Sequence, residues 1–334
     1  MADKIHYSML DLATITDGGS PAESYKRSVH FATQAERYGY TRYWFAEHHN
    51  MASVASSATS LLIGHIAGST NSIRVGSGGI MLPNHAPLIV AEQFGTLESM
   101  YPGRIDLGLG RAPGSDAATS LAIRGANIHA AGNFAEDIAQ LQKYFSANNS
   151  HANVRAIPGE GLDIPIWILG SSTDSALLAA ASGLPYAFAS HFAPALFMDA
   201  IMLYRKHFRP SEKLKKPYVI ACVNVVTANT DEEAFFLSTS LKQLFMGIIT
   251  GKRKPLPQPV TDMSLIWNDY EKEYVSGMLQ YSFIGSKQNV SKEIAAFIAT
   301  SKVDEIMTTS HIYEEGKGLE SIKLFAEVMQ EINA

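Results

Sequence analysis

The chain has 334 residues, 46% of them hydrophobic and 18% charged, with a formal net charge of −5. That length suits two average domains or one α/β barrel with insertions, and the charge gives no support to a polyanion-binding role. Basic runs interleaved with aromatics are absent, which argues against nucleic acid, and a single cysteine, Cys222, excludes an internal disulfide and a cysteine-rich metal site.

The first residues lack a basic region followed by an apolar one, and no apolar stretch is long enough to span a bilayer, so a cytoplasmic protein without a membrane partner is expected. Tyr7–Leu12 is the first expected strand. Ser20 and Pro21 look like a helix cap and first-turn proline, and apolar residues then recur at helical spacing up to Gly39. Tyr43–Ala46 is an apolar run that ends abruptly in Glu47, His48 and His49, as a buried strand opening onto a site would. A helix rich in small residues is expected over 57–69, then a strand over 73–76 that ends in Ser77-Gly78-Gly79. A helix over 88–100 stops at Pro102-Gly103, and Arg104–Gly110 is the fourth strand, leading to Arg111. Further strands are expected over 164–170, 186–189, 218–226 and 304–309, each followed by a helix. Two stretches, about 146–161 and 250–275, break the rhythm as insertions; the second carries Pro255, Pro257 and Pro259 and suits a long surface loop with a short helix.

Strand and helix alternate along almost the whole length, with no break in composition to mark a second domain. Eight such units close into a (β/α)8 TIM barrel spanning 1–334. An open doubly wound sheet is the alternative, but its glycine fingerprint is missing after the first strand.

Chemistry in such a barrel sits at the C-terminal strand ends. Those ends read Asp11; Glu47, His48 and His49; Ser77, Gly78 and Gly79; Arg111; Ser171 and Ser172; Ser190 and His191; Asn224; and His311. Adjacent His48 and His49 point to opposite sides of an extended chain, so they do not share a metal, and no metal site is expected. One imidazole facing the pocket suits proton transfer near neutral pH; the alternative by sequence alone is that both are hydrogen-bonded structural histidines. Gly170-Ser171-Ser172-Thr173-Asp174-Ser175 is a strand end running into a helix start, an anion site by geometry and dipole, with Arg111 as its cation. Helix capping explains Ser172 but neither Gly170 nor Arg111.

Four motifs in order carry a resemblance along nearly the whole chain: Tyr43–His49, Val75–Pro83, Gly103–Arg111 and Gly170-Ser171-Ser172. Together they resemble the bacterial luciferase-like flavin monooxygenase family, and most closely its non-luminescent YhbW-type group, which also shares Leu82–His85 and Leu109–Asp116. The resemblance implies a (β/α)8 barrel, FMN as cofactor and a homodimer, for which the small residues of 57–69 offer one face. It places His48 at the family's catalytic histidine and Arg111, Ser172 and Ser175 at the FMN phosphate. It puts a cis peptide at Gly78-Gly79 against the flavin ring, with Glu47 beside it as a hydrogen-bond acceptor. Ser77, Gly170, Ser171 and His191 complete the expected cofactor set. Two departures argue against light emission: Gly110 stands where luciferase alpha chains have a reactive cysteine, and Ser171 where they have a glutamate.

The activity implied is that of a two-component monooxygenase. A transient flavin reductase would supply FMNH2, and O2 would be used on an aldehyde or another small organic substrate. Two alternatives are an F420-dependent hydride-transfer oxidoreductase on the same barrel and a flavin-binding protein without catalysis.

Overall fold

The computed structural model describes residues 4–112, 116–124 and 134–334. In chain order its elements are β1 (His6–Asp11), α1 (Pro21–Arg37), β2 (Arg42–Phe45), α2 (Thr59–Ser69), β3 (Arg74–Ser77), β4 (Ile80–Met81), α3 (Pro87–Met100), β5 (Ile105–Gly110) and α4 (Ala117–Arg124). They continue with α5 (Phe134–Phe145), β6 (Ile166–Gly170), α6 (Thr173–Ser182), β7 (Tyr186–Phe188), α7 (Phe197–His207), β8 (Val219–Ala228), α8 (Asp231–Ile249) and α9 (Asp269–Met278). The chain finishes with β9 (Ser282–Ser286), α10 (Lys287–Ser301), β10 (Glu305–Thr309) and α11 (Glu315–Ile332).

Among the described residues the strands pair in parallel, and β10 pairs with both β1 and β8, which closes the sheet. The staves are β1, β2, β3, β5, β6, β7, β8 and β10, the eight-stranded α/β barrel expected from the alternation. Three elements were not foreseen. Strand β4 is a two-residue extension beside the end of β5, and β9 pairs with the outer half of β8, Asn224 with Ser282 through Ala228 with Ser286. Helix α4 falls within a stretch whose composition carries no strong period. The 250–275 segment holds a 3-10 turn at Met263–Leu265 and the first turns of α9, and it buries Leu256.

Local chemistry sets the helix starts that matter here. Ser20 and Glu23 form a capping box at α1, with Pro21 at the first helical position. Ser172 caps α6, whose far end is closed by Gly183 in the left-handed region, at φ 61°.

Period-two alternation divides each stave into an inward and an outward face. The outward face meets the helices and carries most of the core, including Tyr43, Phe45, Leu107 and Ile168. The inward face fills the barrel itself: Leu10, Trp44, Trp167, Cys222 and Met307 pack together, with Trp44 and Trp167 edge to face at 5.3 Å.

Beneath them lies a buried charge knot. Arg42 donates to Glu305 at 2.8 Å and to Asp106 at 2.9 Å; Arg74 also grips Asp106, at 2.7 and 2.9 Å, and the Trp44 indole donates to it at 3.1 Å. Ser8 and Tyr218 both donate to Glu305. Burial alone would raise the Asp106 carboxyl, but Arg42 and Arg74 outweigh it and hold the group below its ordinary value. Removing Asp106 would leave Arg74 without a carboxylate and Arg42 with Glu305 alone. Asp106→Ala is therefore expected to cost roughly 3–5 kcal/mol in urea unfolding; a loss under about 1 kcal/mol would show that the knot does not hold the floor.

Candidate functional site

Strand β2 sets the geometry of the barrel mouth. Arg42 and Trp44 point inward, so continued alternation turns Ala46 and His48 toward the axis and Glu47 away from it. After His49, the chain turns sharply at Asn50, whose φ of 53° is one that Asn tolerates better than most residues. The backbone N–H of His48 donates to Ser56 at 3.3 Å, which ties the loop back on itself.

Glu47 is buried, and the chain from β4 onward wraps around its carboxylate. It accepts from the Met81 N–H at 3.1 Å, from His49 at 3.0 Å, from His85 at 3.0 Å and from Asn84 at 3.3 Å. Burial alone would raise its pKa, but the His85, His49 and Met81 hydrogen bonds hold the carboxyl below its usual range. The peptide Gly78-Gly79 is cis, as the family resemblance implies, but Glu47 accepts from Met81, two residues further on. Asn84 in turn accepts from Arg124 of α4 at 3.1 and 3.2 Å, and Asn50 donates to Asp116 and Thr119, so α4 is tied to this rim by polar contacts.

The glycines of this region are required by contacts within the chain. A Cβ on Gly79 would lie 2.7 Å from the Gly108 carbonyl, and one on Gly78 would lie 2.6 Å from Leu10. Ser77 points outward: its hydroxyl donates to the Gly108 carbonyl at 2.8 Å and accepts from the Gly108 N–H at 2.9 Å. It thus stitches β3 to β5 just where the cis peptide departs.

Arg111 and the start of α6 lie together. The Arg111 guanidinium is 3.7 Å from Asp174, the second residue of that helix, and both side chains are more than half exposed. Ser172 accepts from the Ser175 N–H at 3.5 Å, a long bond. Ser175 is buried behind the helix start, its hydroxyl bonded to the Ser172 carbonyl and to Tyr186. Gly170 is needed for that packing, since a Cβ there would collide with Ser175. Ser171 lies half-buried at the turn between β6 and α6. Of the motif Arg111–Asp116, residues Pro113, Gly114 and Ser115 lie outside the described residues.

Across the mouth, Asn224 ties several elements together. It accepts from Thr309 of β10 at 2.8 Å and donates to the His191 carbonyl at 2.6 Å and to Ser282 of β9 at 3.1 Å. His191 and His311 lie close enough to each other, and His191 to His48, to repel as cations. Burial, with that repulsion, lowers the His191 pKa to about 3; burial, with Arg27 nearby, lowers that of His311 to about 4. Asp11, by contrast, is absent from the mouth. It sits at an outward position of β1, where Tyr43 and Ser28 donate to it, because alternation sends its neighbours Leu10 and Leu12 inward. Among the described residues, no cluster of His, Cys, Asp or Glu has the geometry to hold a metal ion, and no helix is long and apolar enough to cross a membrane.

The mouth therefore combines the half-buried imidazoles of His48 and His191, the buried one of His311, a glycine-lined cis peptide and a helix start with Arg111 beside it. The fold that carries it is that of the (β/α)8 barrel class. Residues 5–246 match the family described as luciferase-like monooxygenase, and the chain belongs to that family. It is 50% identical to the uncharacterized protein YvbT of Bacillus subtilis, over 96% of each chain. It is 46% identical to a luciferase-like monooxygenase of Escherichia coli K12, over 99% of each. Among solved structures it resembles that of apo-MsnO8, at 30% identity and TM-score 0.86 over 98% of each chain. The fold alone is shared, at 16% and 13% identity, with the FMN complex of a diketocamphane monooxygenase component of Pseudomonas putida and with an F420-dependent secondary alcohol dehydrogenase (TM-scores 0.73 and 0.69; coverage at least 99% of each chain).

Both lowered histidines link stability to pH. The unfolded chain takes up protons near pH 6.5, well before these folded rings do, so their contribution is complete above that pH and is lost as pH falls toward 4. Urea unfolding between pH 7.5 and 4.5 is expected to show a loss of roughly 2 kcal/mol per imidazole. His311→Gln should flatten the profile; an unchanged slope would contradict the assignment.

Proposed function

We propose that the chain is the oxygenating component of a two-component, FMN-dependent monooxygenase. It receives FMNH2 from a separate flavin reductase and uses O2 on a small organic molecule such as an aldehyde. The single observation that carries this reading is the juxtaposition of Arg111, after β5, with the capped start of α6, after β6.

These residues fit a ribityl phosphate. The first N–H groups of α6 have no intrahelical acceptor, and the helix dipole favours an anion there. Arg111 is exposed and loosely paired, so its fork can turn to a phosphate in place of Asp174. The long Ser172–Ser175 bond leaves the Ser172 hydroxyl available to donate. Ser171 and Gly170 shape the turn beneath, and Ser175 holds Ser172 in place through its carbonyl. The flavin ring would then lie along the cis Gly78-Gly79 peptide, which Ser77 and Glu47 hold from behind. Reduced FMN, when bound, supplies the electrons that activate O2. His48, turned to the axis above an apolar barrel interior, gives or takes the proton of oxygen transfer, and the packed ring of Leu10, Trp44 and Trp167 below it excludes water.

We also propose a homodimer that uses α2. Leu61 on that helix is 74% exposed, whereas Leu62, Ile63, Ile66 and Ala67 pack within the chain.

Titrating the purified protein with FMN, riboflavin and F420 tests the cofactor. FMN should bind most tightly, and Arg111→Ala should weaken FMN about 10- to 100-fold while leaving riboflavin, which lacks the phosphate, within a factor of about three. Equal losses for both ligands, or preference for F420, would remove this reading. His48→Ala should lower turnover with a supplied reductase by roughly 10²–10⁴-fold with little change in FMN affinity; unchanged turnover would take His48 out of the chemistry.

A further inference from the structure

His191 and His311 each carry an Nδ1 that is enclosed and, among the described residues, has no hydrogen-bond partner. His311 is 5% exposed. A buried unsatisfied polar atom costs roughly 1–3 kcal/mol, and an orphaned buried N–H is rarer than an under-used acceptor. With no acceptor beside Nδ1, the ring keeps a lone pair there and carries its proton on Nε2. Neither Nε2 is an enclosed atom without a partner, and neither makes a hydrogen bond among the described residues, so that edge of each ring is the one left open to a ligand. The lowered pKa values agree: a second proton would have to enter at an enclosed Nδ1, against Arg27 near His311 and against His48 and His311 near His191.

The staves divide the mouth into two halves. The cis peptide, Arg111 and the α6 start follow β3, β5 and β6, which adjoin one another in the sheet. His191 and His311 follow β7 and β10, and Asn224 lies within β8 between them, the adjoining staves that complete the ring back to β1. Asn224 ties the two segments together, holding the His191 carbonyl and the Thr309 side chain two residues before His311.

We propose that His191 and His311 are the residues that recognise the organic substrate: two uncharged N–H donors, opposite the cofactor half, that select a neutral molecule with an acceptor oxygen over its anionic counterpart. The cofactor half invoked here rests on the FMN reading above, and His191, expected from the resemblance in the cofactor set, is reassigned to the substrate side. Neutral donors can bind a carbonyl oxygen without the ion pair that would offset the burial of a carboxylate.

The test uses the full chain with octanal and octanoate as probes. On FMN-loaded protein, His311→Leu should weaken octanal about tenfold or more, and His311→Gln, whose amide N–H can stand in for Nε2–H, should recover most of it. FMN affinity should stay within about threefold in both, and octanoate should bind wild type at least about tenfold more weakly than octanal. On flavin-free protein, ¹⁵N imidazole spectra at pH 6 should show both rings neutral with the proton on Nε2, and octanal should shift them. A proton on Nδ1, a charged ring, FMN loss matching octanal loss, or octanal binding unaffected by His311→Leu would overturn the proposal. Failure of wild type to bind FMN would remove the cofactor reading alone, because the imidazole spectra with octanal still decide the role of the histidines. Should His311→Leu not fold, His311→Gln and the wild-type spectra carry the test.

Discussion

The register of β2 is the constraint on which the mouth depends, and Arg42 is what fixes it. Its guanidinium reaches Asp106 on β5 and Glu305 on β10, so β2 is tied through the barrel floor to strands on both sides. From that anchor, alternation lays down the axis: Arg42 at the floor, Trp44 at the waist, then Ala46 and His48 at the rim. The intervening Tyr43 and Phe45 belong to the outer core, and Glu47 to the loop after β4. A slip of one residue would send His48 outward and bring Glu47 over the axis. Such a slip would also pull Arg42 off two buried carboxylates, which makes it far too costly to compete. A salt-bridge knot remote from the mouth thereby specifies which way the mouth histidine faces.

Much of this was legible in the amino-acid order, and the boundary of legibility has a physical cause. Apolar runs bounded by glycine, proline and polar clusters identify staves, and the residue where each run stops is visible by inspection. Hence His48, Arg111, Ser172, His191 and His311 all lie just past strand ends, whereas Asn224 lies within β8, which runs on to pair with β9. Which face a strand-end residue takes depends on register, and register is set by partners distant in sequence. Asp11 was misplaced for that reason, and the outward turn of Ser77 was equally hidden. The glycines look like room for a flat ring, yet Gly79 and Gly108 are also demanded by the close passage of β3 over β5. Strand β9, with its short Ser282–Ser286 run, was missed because five residues beside a long irregular segment carry little periodic signal. The partners of Glu47 follow the same logic: His85 and Asn84 come from a loop 37 and 38 positions away, a pairing that only the closed barrel creates.

The closed ring also places two kinds of constraint on opposite sides of the mouth. The elements suited to phosphate and ring, β3, β5 and β6 with the start of α6, are held by backbone contacts in which glycine is obligatory or by packing such as Ser175 against Tyr186. Changing them disturbs the sheet itself. The opposite elements present side chains from a single tether, Asn224, whose three hydrogen bonds position His191, Thr309 and Ser282 without fixing what the imidazoles touch. Substitution of either imidazole leaves the staves paired, because their hydrogen bonds are made by backbone and by Asn224. The site is therefore rigid where a shared ligand would sit and replaceable where the ligand differs. The neutral pair of imidazoles proposed above would be one setting of that replaceable half: burial disfavours their charge, and uncharged donors would favour an uncharged oxygen.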